Sequence, residues 1–485
     1  MDKAMRHPFS LKALGTLATW FLLACPATAQ PTDTRLPAAV AAALKAAAIP
    51  ASAVAIQVQE AGAATPRLSI NATQTMNPAS VMKLVTTFAA LERLGPAYTW
   101  KTEAWIDRPV VDGVLNGDVV LKGNGDPKFT FEQFWLLLRR LRAHGIRDIQ
   151  GDLVLDHSAF DLPEQDPAQF DAQPLRPYNV VPDALMVGFK TIRLNLLPNP
   201  AAQQVQVSIE PLLANLDVIS LIRLGNNGCG DWKDKLRADL AQRGGRFRLM
   251  LTGSYSAACG EKHWHLGVLP HAEYAYGVFG ELWRELGGSI KGGVRHGTAP
   301  ADARLVAGIE SSSLAEIVRD INKYSNNVMA RHLYLTLGLE AGKRPVRPED
   351  GEAAIRAWLE TKGLRFPELV LENGSGLSRR ERLSAESLGR LLQAAWTSPV
   401  MPEFIASLPL TATDGTMKKR LNGNGVAGQA HIKTGSLEGV KAVAGYVLDR
   451  NGRRQAVVFL INHTNAQAGQ AAQDALLQWV YEGSK

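Results

Sequence analysis

The sequence predicts an α/β (α+β) fold in which an antiparallel sheet is flanked by helices, with a long β-rich stretch between the two ends of the chain. Three observations point there. The chain opens strand, strand, helix; it closes on three strands and a helix; and from Trp100 to about Lys291 it breaks into short β-like runs separated by turn clusters. In order, Leu36 to Ala48 reads as a helix, and Ala53 to Gln59 and Arg67 to Asn71 as strands joined by a Gly/Ala turn. Pro78-Ala79-Ser80 opens a helix that runs through Leu84, Phe88 and Leu91 to a stop at Gly95-Pro96. Val119 to Leu121 and Leu153 to Leu155 are short strands on either side of an amphipathic helix from Phe131 to His144. Leu314, Ile317, Val318 and Ile321 have the spacing of a helix that ends at Lys323-Tyr324. The strands Gln429 to Lys433, Val440 to Val447 and Gln455 to Asn462, the last two joined by an Asn451-Gly452 turn, precede a helix from about Asn465 to Tyr481.

Of 485 residues, 46% are hydrophobic and 20% charged, enough for sizeable cores in two to four domains. Disorder, collagen and coiled coil are thereby excluded as the main theme. The net charge of +7 is spread without a basic block, which is poor support for a nucleic-acid partner. Met1 to Gln30 has a basic start (Lys3, Arg6, Lys12), an apolar run from Ala13 to Ala24 and an Ala27-Thr28-Ala29 ending, the pattern of a cleaved secretory signal peptide over residues 1–29. The expected location is therefore periplasmic. Leu22-Leu23-Ala24-Cys25 loosely resembles a lipoprotein box, so an anchor at Cys25, like a peripheral association with the membrane, is the alternative. Either route leaves Cys229 and Cys259 as the only pair in the mature chain, and in an oxidising compartment they are expected to form a disulfide.

Three short motifs carry the chemistry. Ser80-Val81-Met82-Lys83 puts a serine and a lysine on one helical face, where a lysine whose pKa is lowered by burial or a second cation can act as base for the hydroxyl. Ser325-Asn326-Asn327 follows the helix at Leu314, and Lys433-Thr434-Gly435 sits on a strand, with Gly435 permitting close backbone approach. Alone, S-x-x-K is expected about once by chance in a chain of this size, but the ordered trio behind a signal peptide is far rarer. His263 and His265 flank Trp264 without a further ligand, so no metal and no cofactor is expected. Gly374-Ser375-Gly376 is not a G-x-S-x-G elbow and reads as a turn near the site.

The trio resembles the penicillin-recognising serine acyltransferases, which include D-alanyl-D-alanine peptidases and serine β-lactamases. With 241 residues between Lys83 and Ser325, the chain is similar to the class C low-molecular-mass penicillin-binding proteins, the D-alanyl-D-alanine carboxypeptidase/endopeptidase family (peptidase family S13). Leu121 to Pro127, Gly151 to Asp156, Glu372 to Arg379 and Asp414 to Thr416 resemble it further; the stretch from about Asn199 to Gly260 departs from it. The resemblance implies a β-lactamase/transpeptidase-like core at 30–95 and 302–485, an inserted domain at 96–150 and 261–301, and a nested β-rich domain at 151–260. It implies Ser80 as acylated nucleophile, Lys83 as base, Ser325 as proton relay and Asn327 as holder of the substrate amide. Lys433 and Thr434 would bind the terminal carboxylate, and the N–H groups of Ser80 and Ser436 would face the oxyanion. Asp156, Phe160 and Arg379 resemble a side pocket for the amino group of meso-diaminopimelate. Peptidoglycan is then the implied substrate and β-lactams the implied covalent inhibitors; a serine β-lactamase and a non-catalytic murein-binding scaffold remain the alternatives.

Overall fold

The computed structural model describes residues 32–483, so the expected signal peptide and Cys25 lie outside the described residues. The two ends of the chain meet in one five-stranded antiparallel sheet, in the order Ala430–Leu437, Val440–Leu448, Arg454–Asn462, Val54–Glu60, Leu68–Ile70. Its middle strands are apolar at nearly every position because both faces are covered. Ala456, Val458 and Leu460 face one core, and Val457, Phe459 and Ile461 the other. The first core is closed by Lys83–Leu94, Leu314–Tyr324, Asn327–Glu340 and Ala385–Trp396; the second by Ala38–Ala46 and Gln470–Glu482. Lys83–Leu94 is buried from Lys83 through Leu91, so it runs through the middle of the molecule rather than along its surface.

The insert holds three sheets. A five-stranded one runs in the order Val294–His296, Leu153–Asp156, Val119–Gly123, Lys101–Ile106, Arg304–Glu310, beside a four-stranded one of two-residue strands. The third has six strands and spans Thr191 to Gly267. These pairings move three expected boundaries. Leu153–Asp156 pairs in parallel with Val119–Gly123 and Val294–His296, so the nested part begins near Thr191, not at 151, and ends at Gly267, not at 260. Arg304–Glu310 pairs with Lys101–Ile106, so the first insert returns to the core after Glu310 rather than at 301. Partners this distant in sequence leave no local signature. Thr191 and Gly267 face each other across paired strands, which places entry and exit of the nested sheet side by side.

Cys229 and Cys259 form a disulfide, with Cα atoms 4.8 Å apart, in the nested sheet's loops. Replacing both with alanine is expected to destabilise this sheet by about 3–4 kcal/mol in the chain-entropy picture. Hydrogen exchange should show it as faster opening of strands 216–225 and 246–256, with the five-stranded core unchanged. His263 and His265 lie on the exposed side of Lys262–Gly267 while Trp264 faces inward. Among the described residues no helix is long and apolar enough to cross a membrane.

Candidate active site

Ser80 lies in the 3₁₀ turn Ala79–Met82 that leads into Lys83–Leu94. The turn is held from three sides. Asn77 Oδ1 accepts the Ala79 N–H at 2.8 Å, Asn77 Nδ2 donates to the Ser378 carbonyl at 2.9 Å, and Asn462 Oδ1 accepts the Asn77 N–H at 2.8 Å. Ala79 consequently sits at φ +46°, a left-handed conformation that non-glycine residues adopt only where the surroundings impose it.

Lys83 is fully buried, and its Nζ donates to Ser80 Oγ at 3.0 Å, to Asn327 Oδ1 at 2.6 Å and to the Ser375 carbonyl. Burial pushes its pKa well below the ordinary lysine value, and the Lys433 ammonium pushes it further. Lys433, also fully buried on the strand Ala430–Leu437, donates to Ser325 Oγ at 2.8 Å and to the Thr434 carbonyl at 2.8 Å. Loss of water pushes it down to about 7. Ser325 caps Leu314–Tyr324 at φ +56°, a turn that directs its hydroxyl to Lys433 and starts the next helix at Asn327. The three motifs thus converge through two lysines, each hydrogen-bonded to one serine.

Two glycines let backbone approach Ser80. A Cβ on Gly376 would overlap the Ala79 carbonyl and lie 2.7 Å from Ser80 N, and one on Gly435 would lie 2.9 Å from the Pro78 carbonyl and 3.0 Å from Ser80 N. Thr434 Oγ1 is hydrogen-bonded to Thr416 Oγ1 at 2.7 Å, and Ser436 is exposed with its hydroxyl on Gln467.

The other candidates are dispersed. Asp156 is buried and turned onto Ser158, whose N–H and hydroxyl it accepts at 3.1 and 2.6 Å. Phe160 packs at a tilt against His332 and lines a cavity of about 630 Å³. Arg379 spans Phe170 and the Glu438 carbonyl and lines a cavity of about 500 Å³ beside the site, with Arg331, Tyr334, Asn373 and Ser378. The structure does not bring the three into one pocket. Ser375 is buried with its hydroxyl on Asn373, so it contributes its carbonyl and not a nucleophile. Asn77, Asn462, Gly376, Thr416 and the Ser375 carbonyl are site groups to which sequence reasoning assigned no role. The signals were that Gly374-Ser375-Gly376 reads as a turn near the site and that Ser375, Gly376 and Thr416 fall in stretches bearing the family resemblance.

A two-faced sheet with a buried central helix that starts at a Ser-x-x-Lys turn is the penicillin-binding, transpeptidase-like fold. The chain belongs to the D-Ala-D-Ala carboxypeptidase 3 (S13) family, whose model matches residues 36–482, and is thus a member of a family of hydrolases. It is 30% identical over 416 residues to a D-alanyl-D-alanine carboxypeptidase of Actinomadura sp., covering 82% of this chain and 76% of that one. It is 26% identical over 413 residues to the D-alanyl-D-alanine carboxypeptidase DacB of Haemophilus influenzae, covering 81% of each. The crystal structure of penicillin binding protein 4 from Haemophilus influenzae superposes with a TM-score of 0.75 at 23% identity, over 91% of this chain and 99% of that one, which establishes the shared fold.

Proposed function

We propose that this chain cleaves peptidoglycan stem peptides as a serine-type D-alanyl-D-alanine carboxypeptidase and endopeptidase, through an acyl-enzyme on Ser80, and that it does so in the periplasm. The observation that carries this reading is the seat of Lys83. As an ammonium, its Nζ has three donors for the three acceptors around it. As a neutral amine it has two N–H groups and a lone pair. Asn327 Oδ1 and the Ser375 carbonyl can only accept, so they take the two N–H groups and the lone pair is left for the Ser80 hydroxyl. The deprotonated lysine is a base aimed at one serine.

The remaining roles follow from this placement. Lys83 takes the Ser80 proton as Oγ attacks the carbonyl carbon of the penultimate D-Ala. The N–H groups of Ser80 and Ser436 face the oxyanion, and the near approach of Gly435 to Ser80 N supports that pairing. Ser325, held by the hydrogen bond from Lys433, relays the proton taken by Lys83 to the leaving amine; Lys433 and Thr434 hold the terminal carboxylate, and water then hydrolyses the ester. The 1,4-related β-lactam carboxylate would seat on the same lysine, and the Haemophilus influenzae protein has been solved in complex with a β-lactam.

The test is release of D-Ala from a synthetic D-Ala-D-Ala pentapeptide and cleavage of dimeric muropeptides by the purified protein, with slow β-lactam turnover. Rapid β-lactam hydrolysis would instead mark a β-lactamase, and absence of any labelling a non-catalytic murein-binding scaffold. The pH profile is a sharper check. Because Lys433 loses its charge as pH rises through about 7, kcat/KM for the carboxylate substrate should fall across that range. A C-terminal amide of the same peptide should lack this alkaline limb.

A further inference from the structure

The Ser375 carbonyl that meets Lys83 belongs to a loop tied down by one side chain. Glu381 is fully buried, and its Oε1 accepts the backbone N–H groups of Glu372, Asn373 and Gly374 at 3.2, 3.0 and 2.9 Å. Its other oxygen, Oε2, is buried with no hydrogen-bond partner, as is Nε of Arg331. A glutamine could serve the three N–H groups equally well with its carbonyl oxygen, so the hydrogen bonds alone do not call for a carboxylate. Burying that charge is costly unless a cation uses it. The groups acting electrostatically on Lys83 are Lys433 and Arg331, both cations, and Glu381. Around Glu381 itself stand Lys83 on Lys83–Leu94, Arg331 and Tyr334 on Asn327–Glu340, and, on its own loop, Glu372, whose carboxylate is already engaged by Ser378 and Arg380.

We propose that Glu381 is a positioning residue for Lys83: it fixes the Ser375 carbonyl on Nζ and supplies a negative charge to a lysine whose other charged neighbours, among the described residues, are cations. The proposal rests on Lys83 acting as base for Ser80. Its consequence has a sign. The carboxylate favours the ammonium form of Lys83, so it holds the acid limb of acylation at a higher pH than the two cations alone would. The carboxylate thereby keeps Lys83 from being stranded permanently neutral in a dry, positive pocket, so that it can carry the proton between attack and its delivery to the leaving group.

The experiment is the rate of acylation by a β-lactam as a function of pH. Glu381→Gln keeps an acceptor for the three N–H groups and removes the charge; the acid limb should move to lower pH by about one unit, a tenfold change in proton affinity. Glu381→Asp, which retains charge, should leave the limb nearer its original place. Arg331→Met, which removes a cation, should move it the other way, and it stands in if Glu381→Gln does not fold. A limb that superposes on the unsubstituted protein's in Glu381→Gln, or in Arg331→Met standing in, overturns the proposal. Acylation that persists in Ser80→Ala, run in parallel, would instead overturn the reading on which it rests.

Discussion

Replacing Lys83 with methionine should abolish acylation of Ser80 by penicillin, lowering the rate constant by on the order of 10⁴-fold. The side chain fills nearly the same volume, so the central helix and its core should persist. What disappears is the one base that, among the described residues, lies within hydrogen-bond distance of Ser80 Oγ, at 3.0 Å. The substitution also strands the half-buried Asn327 amide and the buried Ser375 carbonyl, the latter at a cost of about 1–3 kcal/mol, offset in part by removing a buried ammonium. A small change in the thermal transition together with a large loss of acylation, read by stopped-flow with a fluorescent penicillin, separates the chemical role from a structural one. Acylation within tenfold of the unsubstituted rate would show that another group deprotonates the serine.

Gly376→Ala should be nearly as damaging although the position lies outside all three motifs. At φ +79° the position is left-handed, and the new methyl would overlap the Ala79 carbonyl and press on Ser80 N. The strain is about 1–3 kcal/mol, and relief requires moving the backbone of Ser80, the proposed nucleophile and oxyanion donor. Displacing one such donor lowers the rate by about 10²–10³-fold. Acylation kinetics and calorimetry on the same variant should therefore show a modest loss of stability beside a large loss of rate.

Much of the core was legible because its signals are local. The apolar strands Val440 to Val447 and Gln455 to Asn462 read correctly, since burial on both faces demands continuous apolar runs. Ser80 and Lys83 were legible from their i, i+3 spacing once the S-x-N and K-T-G motifs followed in order. The groups that hold them were not. Asn77 meets Asn462 across 385 residues, and the Ser375 carbonyl meets Lys83 across 292, by backbone atoms that no side-chain pattern marks. Leu153–Asp156 read correctly as a strand, but its partners decide its domain and they lie far along the chain. Asp156 reads as a pocket acid at a strand end; the competing local turn onto Ser158 takes its carboxylate instead.

The central claim is that Ser80 is the acylated group. The most direct measurement is peptide mapping by mass spectrometry after incubation with benzylpenicillin, on the unsubstituted protein and on Ser80→Ala. The variant loses one hydrogen bond, so its thermal transition should shift by no more than about 1 kcal/mol would cause. The expected result is a single penicilloyl adduct on the peptide containing Ser80, absent from the folded variant. An adduct on another residue, or one that survives in Ser80→Ala, would contradict the account.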